Sequence, residues 1–332
     1  MIHMTLTNKK RVIIDTDPGV DDALAILLAL RSPELDVVAI TTVCGNVPVE
    51  QATRNLFRVL SLVKPPPGLL IGQGAAKPLV RSLETATRVH GTDGLGNLDR
   101  FRNQDGSLRY PQMEVPRTLP TAQEVWTECA RHYPNELTLI TLGPLTNVAQ
   151  ALDADPWLAR PLCQVICMGG AVTVPGNVTP AAEFNIYVDP HAAQRVFQSG
   201  LPITLVPLDV TMQVTLSRDT IHRLTGKVTD PVCRFLGDVT GPALDFSAQI
   251  EGKALFPLHD PLAVAVAIAP TLVKLTPLHV QVETDGRATL GMTLADRRAV
   301  RPSQKAEPNL HVALKVDAQR ALKIFRERLC RR

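Results

Sequence analysis

The 332-residue chain is 45% hydrophobic and 20% charged, with 35 Lys and Arg against 32 Asp and Glu. That profile describes a soluble globular protein long enough to bury its core without disulfides or metals. A net charge of +3 gives no case for nucleic acid or an anionic membrane, and the longest apolar stretches, Ala23 to Leu30 and Leu262 to Ala269, are far too short to span one.

The opening MIHMTLTNKKRVIIDTD moves from polar residues into a short apolar run without the hydrophobic region of a secretory leader. Arg11 to Ile14 reads as a strand, followed by an acidic turn and the helix DDALAILLAL. Val37 to Val43 is a second strand, with helical periodicity from Val49 to Val63. Residues 64 to 120 are rich in Pro, Gly, Arg and Asn and read as irregular loops. Leu137 to Leu142 is a third strand, followed by a helix from about Leu145; Val165 to Met168 and Ile203 to Val206 continue the series. Residues 207 to 258 are more helical, with a Gly/Pro loop expected near Gly241 to Gly252. Strand character returns in LHVQVE, and the basic helix AQRALKIFRERLCRR, read as a solvated face, closes the chain. Strand–helix alternation predicts an α/β fold with a mostly parallel sheet covered on both faces. The whole of 1–332 reads as one domain with loop and helical insertions. Its functional residues should gather at the carboxyl ends of the strands.

The six cysteines, Cys44, Cys129, Cys163, Cys167, Cys233 and Cys330, form no C-x-x-C pair. They read as buried or incidental thiols of a reducing, cytoplasmic compartment, and a zinc site built on them is not expected.

The sharpest feature is Asp15-Thr16-Asp17-Pro18-Gly19-Val20-Asp21-Asp22, four carboxylates in eight residues between a buried strand and a helix. Asp15 and Asp17 share one side if the chain is still extended there. Asp21 and Asp22 fall at the helix N-terminus, where free N–H groups favour anions. Capping accounts for one or two of these carboxylates. Four crowded in low dielectric repel strongly, and a hard divalent cation such as Ca²⁺ or Mg²⁺ resolves that repulsion. A D-x-D phosphotransfer motif of the haloacid-dehalogenase type is the competing pattern. It normally carries Thr or Val two residues after the second Asp, where this chain has Gly19; Gly237-Asp238 is a faint echo of its second acidic motif, and Asp245 is poorly spaced for it.

Further polar clusters punctuate apolar surroundings: Gly45-Asn46, His90-Gly91-Thr92-Asp93-Gly94-Leu95-Gly96, Leu142-Gly143-Pro144-Leu145-Thr146-Asn147, Met168-Gly169-Gly170, Gly176-Asn177, Glu183-Phe184-Asn185 and His259-Asp260-Pro261. Each alone reads as a turn, a helix start or a cap; Asp260 could simply cap the helix that begins at Pro261. Placement raises their interest, because Asn46, the Leu142 turn and Met168 fall where strands end.

Together these segments resemble one family, the inosine–uridine preferring nucleoside hydrolases. The matching stretches are VIIDTDPGVDDALAI, TTVCGNV, HGTDGLG, LGPLTNVA, MGGAV with GNVTPAAEFNIYVDP, and HDPLAVA, in family order from residue 12 to about 267. The resemblance implies an open, mostly parallel, mixed sheet of Rossmann-like nucleoside hydrolase type, and Ca²⁺-dependent hydrolysis of the N-glycosidic bond of pyrimidine nucleosides or inosine. It implies that Asp17 is general base and metal ligand, with Asp22, Asp260 and the carbonyl of Leu142 as further ligands. Asp21, Asn46, Asn177, Glu183 and Asn185 would bind ribose, with Met168 packed nearby. His90 and His259 would face the base, His259 assisting its departure. A cytoplasmic homodimer or homotetramer active in purine and pyrimidine salvage, with no nucleic-acid or membrane partner, is also implied.

The N-glycosidic bond breaks through an oxocarbenium-like ribosyl species. A cation that orients the ribose diol and the water leaves one proton for Asp17 to take, and the carboxylates around it favour the growing positive charge. The same negative wall disfavours phosphate as a nucleophile, and no G-x-x-x-x-G-K-[ST] loop is present. Two departures stand out. Some pyrimidine-preferring members relay protons through a Tyr before HDP; the tyrosines here are Tyr110, Tyr133 and Tyr187, with Phe246 in the corresponding stretch. Trp126 and Trp157 lie outside the motifs, which disfavours strict purine specificity by tryptophan stacking. A D-x-D phosphohydrolase and a non-catalytic nucleoside- or metal-binding protein are the alternatives.

Overall fold

The computed structural model describes residues 9–155, 162–226, 229–299, 301 and 306–330. Its centre is an eight-stranded sheet. The first six strands are β1 (Lys10–Thr16), β2 (Leu35–Thr42), β3 (Leu70–Gln73), β4 (Leu137–Thr141), β5 (Leu162–Met168) and β6 (Ile203–Val206). They stand in the order β3-β2-β1-β4-β5-β6, followed by Leu310–Val316 and then Val273–Leu278. All pairings are parallel except the last, so the sheet is mixed and mostly parallel, as expected. The order reverses between β1 and β4. A crevice opens at the carboxyl ends of strands at such a point, and it is where open α/β sheets bind ligands.

Alternation along the strands divides the core. Val12 and Ile14 of β1, with Ile140 of β4 and Ile166 of β5, pack into one cluster, whereas Ile13, Leu139 and Val165 pack into another. On the first face lie helices Val20–Leu30 and His259–Ile268, packed against each other. Beyond its first turn the former is apolar all round, Ala23 to Ala29 being fully buried, so it can sit only inside the protein. Both helices begin with buried carboxylates, Asp21 and Asp22 on one and Asp260 on the other.

Several expectations need correction. Residues 241–252 form no loop: a single helix, Pro231–Glu251, runs through Gly241 and Pro242. Burial of Phe235, Leu236, Val239, Ala243 and Leu244 overrides the weak local propensity. The C-terminal strand character is spread over more of the chain than LHVQVE, into Val273–Leu278, Val280–Val282 and Leu310–Val316. The proline-rich 64–120 region contains β3, only four residues long. The closing helix, Ala318–Leu329, buries Ala321, Phe325 and Leu329 beneath its charged face. Two of the six cysteines are not thiols: Cys233 and Cys330, 97 residues apart, form a disulfide with Cα atoms 4.9 Å apart.

Candidate active site

At the switch point the end of β1 delivers two carboxylates with separate surroundings. Asp15 is fully buried, its Oδ1 accepting from Thr41 Oγ1 at 2.6 Å and from Asn147 Nδ2 at 2.8 Å. Burial still lifts its pKa to about 7. Asp17, also fully buried, accepts the Asn46 N–H on Oδ2 at 2.6 Å, while its Oδ1 has no partner. Gly45 and Gly143 flank this side chain. A Cβ on Gly143 would sit 2.5 Å from Asp17 Oδ1, and one on Gly45 would fall on the same carboxylate, so both positions need glycine for lack of space. Burial, then the charge of Asp22, pushes the Asp17 carboxyl well above the usual carboxylate range.

Asp22 both caps and anchors. From the third helical position it accepts the Gly19 N–H at 2.9 Å, half of a capping box. It also takes Asn46 Nδ2 at 3.0 Å, Thr16 Oγ1 at 2.5 Å and the Asp17 N–H at 3.3 Å. Asp21, Asp22 and Asp260 each present an oxygen such that all three lie within 4.8 Å of one another. Burial, then the neighbouring Asp22 charge, raises Asp21 to about 8; burial, then Asp21, raises Asp260 well above normal.

This donor set fits a hard cation. Its ligands are carboxylate oxygens, their repulsion is unrelieved by any cationic side chain among their described partners, and one buried oxygen of Asp17 is left without a donor. The family resemblance implies Asp17 among the ligands and Asp21 on ribose. The tight trio in the structure instead contains Asp21, and Asp17 stands beside it through its N–H to Asp22. The carbonyl of Leu142 accepts Asn185 Nδ2 at 2.6 Å, with its second lone pair still available.

The other predicted residues take distinct places. Asn46 binds Asp17 and Asp22, and thereby orders the acidic cluster. Glu183 is buried and caps helix Phe184–Val188, accepting from Gly170, Asn185 and Ile186 N–H groups at 2.9, 2.9 and 3.2 Å. Asn185 bridges the ends of β4 and β5, reaching Met168 O at 3.4 Å besides Leu142. Asn177 is exposed, and its side chain accepts the Phe184 N–H at 3.0 Å. No described hydrogen bond ties it to the acidic cluster. His90 Nδ1 accepts the Val20 N–H at 3.1 Å and lies 4.0 Å from Asp21 Oδ1. His259 is half-buried at the start of its helix, Nδ1 2.7 Å from Thr211 Oγ1. Burial lowers both imidazoles to about 4, so both are neutral at physiological pH.

The echoes of a phosphotransfer motif point elsewhere. Asp238 is engaged by Arg109 at 2.7 Å and Tyr110 at 2.9 Å, and Asp245 pairs with Arg218. Trp126 is a core residue whose Nε1 donates to Thr41 Oγ1 at 3.1 Å; Trp157 lies outside the described residues. Thr16, Thr41, Asn147 and Thr211 carry no role legible from the sequence alone. Asn147 does lie within the stretch LGPLTNVA; a threonine 48 residues from the histidine it touches leaves no local signal.

A family model described as inosine-uridine preferring nucleoside hydrolase matches residues 12–323. The chain is 39% identical over 322 residues to the pyrimidine-specific ribonucleoside hydrolase RihA of Salmonella typhi, covering 96% of this chain and 97% of that protein. Among solved structures, a plant nucleoside hydrolase, PpNRh1, superposes with a TM-score of 0.87 at 34% identity, over 97% of this chain and 99% of the other. A purine-preferring ribonucleoside hydrolase from Gardnerella vaginalis superposes with a TM-score of 0.85 at 33% identity, over 97% and 98%.

Proposed function

The chain belongs to the inosine-uridine preferring nucleoside hydrolases, enzymes that hydrolyse ribonucleosides, and from that premise we propose a Ca²⁺-dependent N-ribohydrolase with Asp17 as base and His259 as aid to the departing base. The observation that carries this reading is the unpartnered, buried Oδ1 of Asp17 beside the trio Asp21, Asp22 and Asp260. Asp17, Asp22, Asp260 and the Leu142 carbonyl would hold the ion, with Asp21 at its edge. When bound, Ca²⁺ would supply a Lewis-acid centre that orients the ribose diol and the attacking water and lowers that water's pKa.

The chain's own residues do the rest. Asp17 Oδ1 is the free acceptor for the proton of the water, while the Asn46 N–H holds Oδ2 in place. The clustered carboxylates favour positive charge developing on the ribosyl carbon. Asn46, Glu183, Asn185, Met168 and Asp21 shape the ribose side, with Asn177 at the exposed rim. On the base side, His90 and His259 are neutral rings with Nδ1 engaged, which leaves Nε2 to meet the base. Uridine, cytidine and inosine are the expected substrates. Among the described residues the indole of Trp126 is committed to the core, which supports a site without a tryptophan stack. A cytoplasmic homodimer or homotetramer, each chain acting as one domain, completes the reading.

The test is release of reducing sugar from uridine, cytidine, inosine and adenosine without phosphate, before and after removal and readdition of Ca²⁺. Ribose that appears only with the ion present supports the reading. Phosphate released from nucleotides without ribose from nucleosides, or Ca²⁺-dependent nucleoside binding without product, contradicts it.

A further inference from the structure

Between β6 and the helix His259–Ile268 the chain makes a long excursion. It leaves through the turn Leu208–Thr211 and returns along Leu255–Pro257, which pairs antiparallel with Thr215–Ser217. Thr211, at the start of this excursion, meets His259, at its end: Oγ1 lies 2.7 Å from Nδ1. Thr211 is fully buried, and among the described residues its hydroxyl has no other hydrogen-bond partner.

Both sides of this contact are held firmly. Leu208 N–H donates to Gly170 O at 2.9 Å, and Asp209 accepts the N–H groups of Val172 at 2.8 Å and Thr173 at 2.7 Å. The turn is thereby fastened to the segment that leaves β5. On the histidine side, Leu258 N–H donates to Val214 O at 2.8 Å.

The direction of the bond follows from counting protons. A hydroxyl has one hydrogen to donate, and a neutral imidazole has one N–H and one bare nitrogen. If Nδ1 carried the proton, the Thr211 hydrogen would be buried without an acceptor among the described residues, which folding disfavours. If Thr211 donates to a bare Nδ1, both groups are satisfied and the ring proton sits on Nε2. His90 offers an internal parallel, because its Nδ1 faces the Val20 N–H, a group that can only donate. Its ring proton must then also sit on Nε2.

We propose that Thr211 is a positioning residue for the hydrolytic reaction: its hydroxyl donates to His259 Nδ1, fixes the ring, and keeps the Nε2–H form facing the departing base. With His90 held in the same form by a backbone amide, the base side presents two N–H donors from non-titrating supports. Such a pair suits a base with carbonyl oxygens or ring nitrogens as acceptors. The inference rests on the reading of His259 as the group that assists the leaving base.

The test uses Thr211→Val, which keeps the shape and removes the donor, and Thr211→Ser, which restores it. The first readout is the long-range ¹H–¹⁵N spectrum of the histidine rings in the full-length Ca²⁺-loaded protein, with the His259 signals identified by their loss in His259→Ala. Wild type and Thr211→Ser should show the Nε2–H form at His259, and Thr211→Val should show a mixture or the Nδ1–H form. The second readout is kcat and KM for uridine and for a nitrophenyl riboside, whose leaving group needs no hydrogen-bond donor. Thr211→Val should lower kcat for uridine about tenfold or more, with KM nearly unchanged, the nitrophenyl substrate nearly unaffected and Ser restoring the rate. An Nε2–H form that persists in Thr211→Val overturns the proposal. So does a loss shared equally by both substrates in Thr211→Val while His259→Ala still distinguishes them. If His259→Ala itself slows both substrates equally, the leaving-group reading of His259 fails, and the spectrum still decides whether Thr211 sets the tautomer.

Discussion

Asn147 Nδ2 donates to Asp15 Oδ1 over 2.8 Å, joining the residue behind β4 to the last buried carboxylate of β1 across the point where the strand order reverses. The same amide reaches Thr42 O at 3.0 Å and accepts the Ala75 N–H at 2.8 Å, so one side chain ties together the ends of four strands. Gly74 makes room for it, since a Cβ there would overlap the Asn147 amide. Asn147→Leu keeps the volume but strips the Ala75 N–H of its acceptor and takes one donor each from Asp15 and Thr42 O, which keep Thr41 Oγ1 and the Gly74 N–H. It should lower stability by about 2 kcal/mol or more, read as a drop in the denaturant midpoint at unchanged m-value. A variant as stable as wild type would mean that water or a neighbour replaces these bonds at no cost.

Much of this architecture was legible in the residues. The Ile203–Val206 strand ends where its apolar run ends, and the alternation that separates Val12 and Ile14 from Ile13 follows from the period of a strand. The acidic loop and the late His259-Asp260 could be read because carboxylates are conspicuous next to apolar runs. What stayed hidden depends on contacts distant in sequence. β3 is too short to show a pattern, the helix through Gly241 and Pro242 is fixed by packing, and no spacing rule pairs Cys233 with Cys330. Thr211 belongs to the same class, because only the folded chain brings it to His259.

Removal of the ion should make stability depend on pH in a defined direction. In the metal-free protein Asp21 titrates at about 8 and Asp15 at about 7, above an unfolded carboxylate, with burial the main cause. A raised carboxyl binds its proton more tightly when folded, so the stability it contributes is lost as pH rises through the folded value. The metal-free protein should therefore melt higher at pH 7 than at pH 9. The histidines, lowered from 6.5 to about 4, act in the opposite sense and only below about pH 6.5. Because Ca²⁺ competes with these protons, its gain in melting temperature should be larger at pH 9 than at pH 7. Equal gains at both would show that the ion does not bind the raised carboxylates.

Asp22 carries two duties that can be separated. Asp22→Asn keeps an oxygen for the Gly19 N–H but loses the negative charge that attracts a cation. Ca²⁺ affinity by titration calorimetry should fall about tenfold or more, while helix content by circular dichroism stays near wild type. Unchanged affinity would move the ion away from this residue.

The Cys233–Cys330 bond links helix Pro231–Glu251 to the end of helix Ala318–Leu329, closing a long loop of chain. Thiol titration of the denatured, non-reduced protein should count four free groups, Cys44, Cys129, Cys163 and Cys167. Reduction should lower stability by about 2–4 kcal/mol, measured by denaturant melts with and without dithiothreitol. Six titratable thiols would show that the pair stays reduced.

The most direct test of the central claim is ribose release from uridine by Asp17→Asn in saturating Ca²⁺. Asparagine keeps an oxygen to accept the Asn46 N–H but cannot take a proton from water. Turnover should fall at least about a hundredfold in a protein whose melting temperature stays near wild type. A rate close to wild type would remove Asp17 from the base role and leave the unpartnered oxygen without a catalytic meaning.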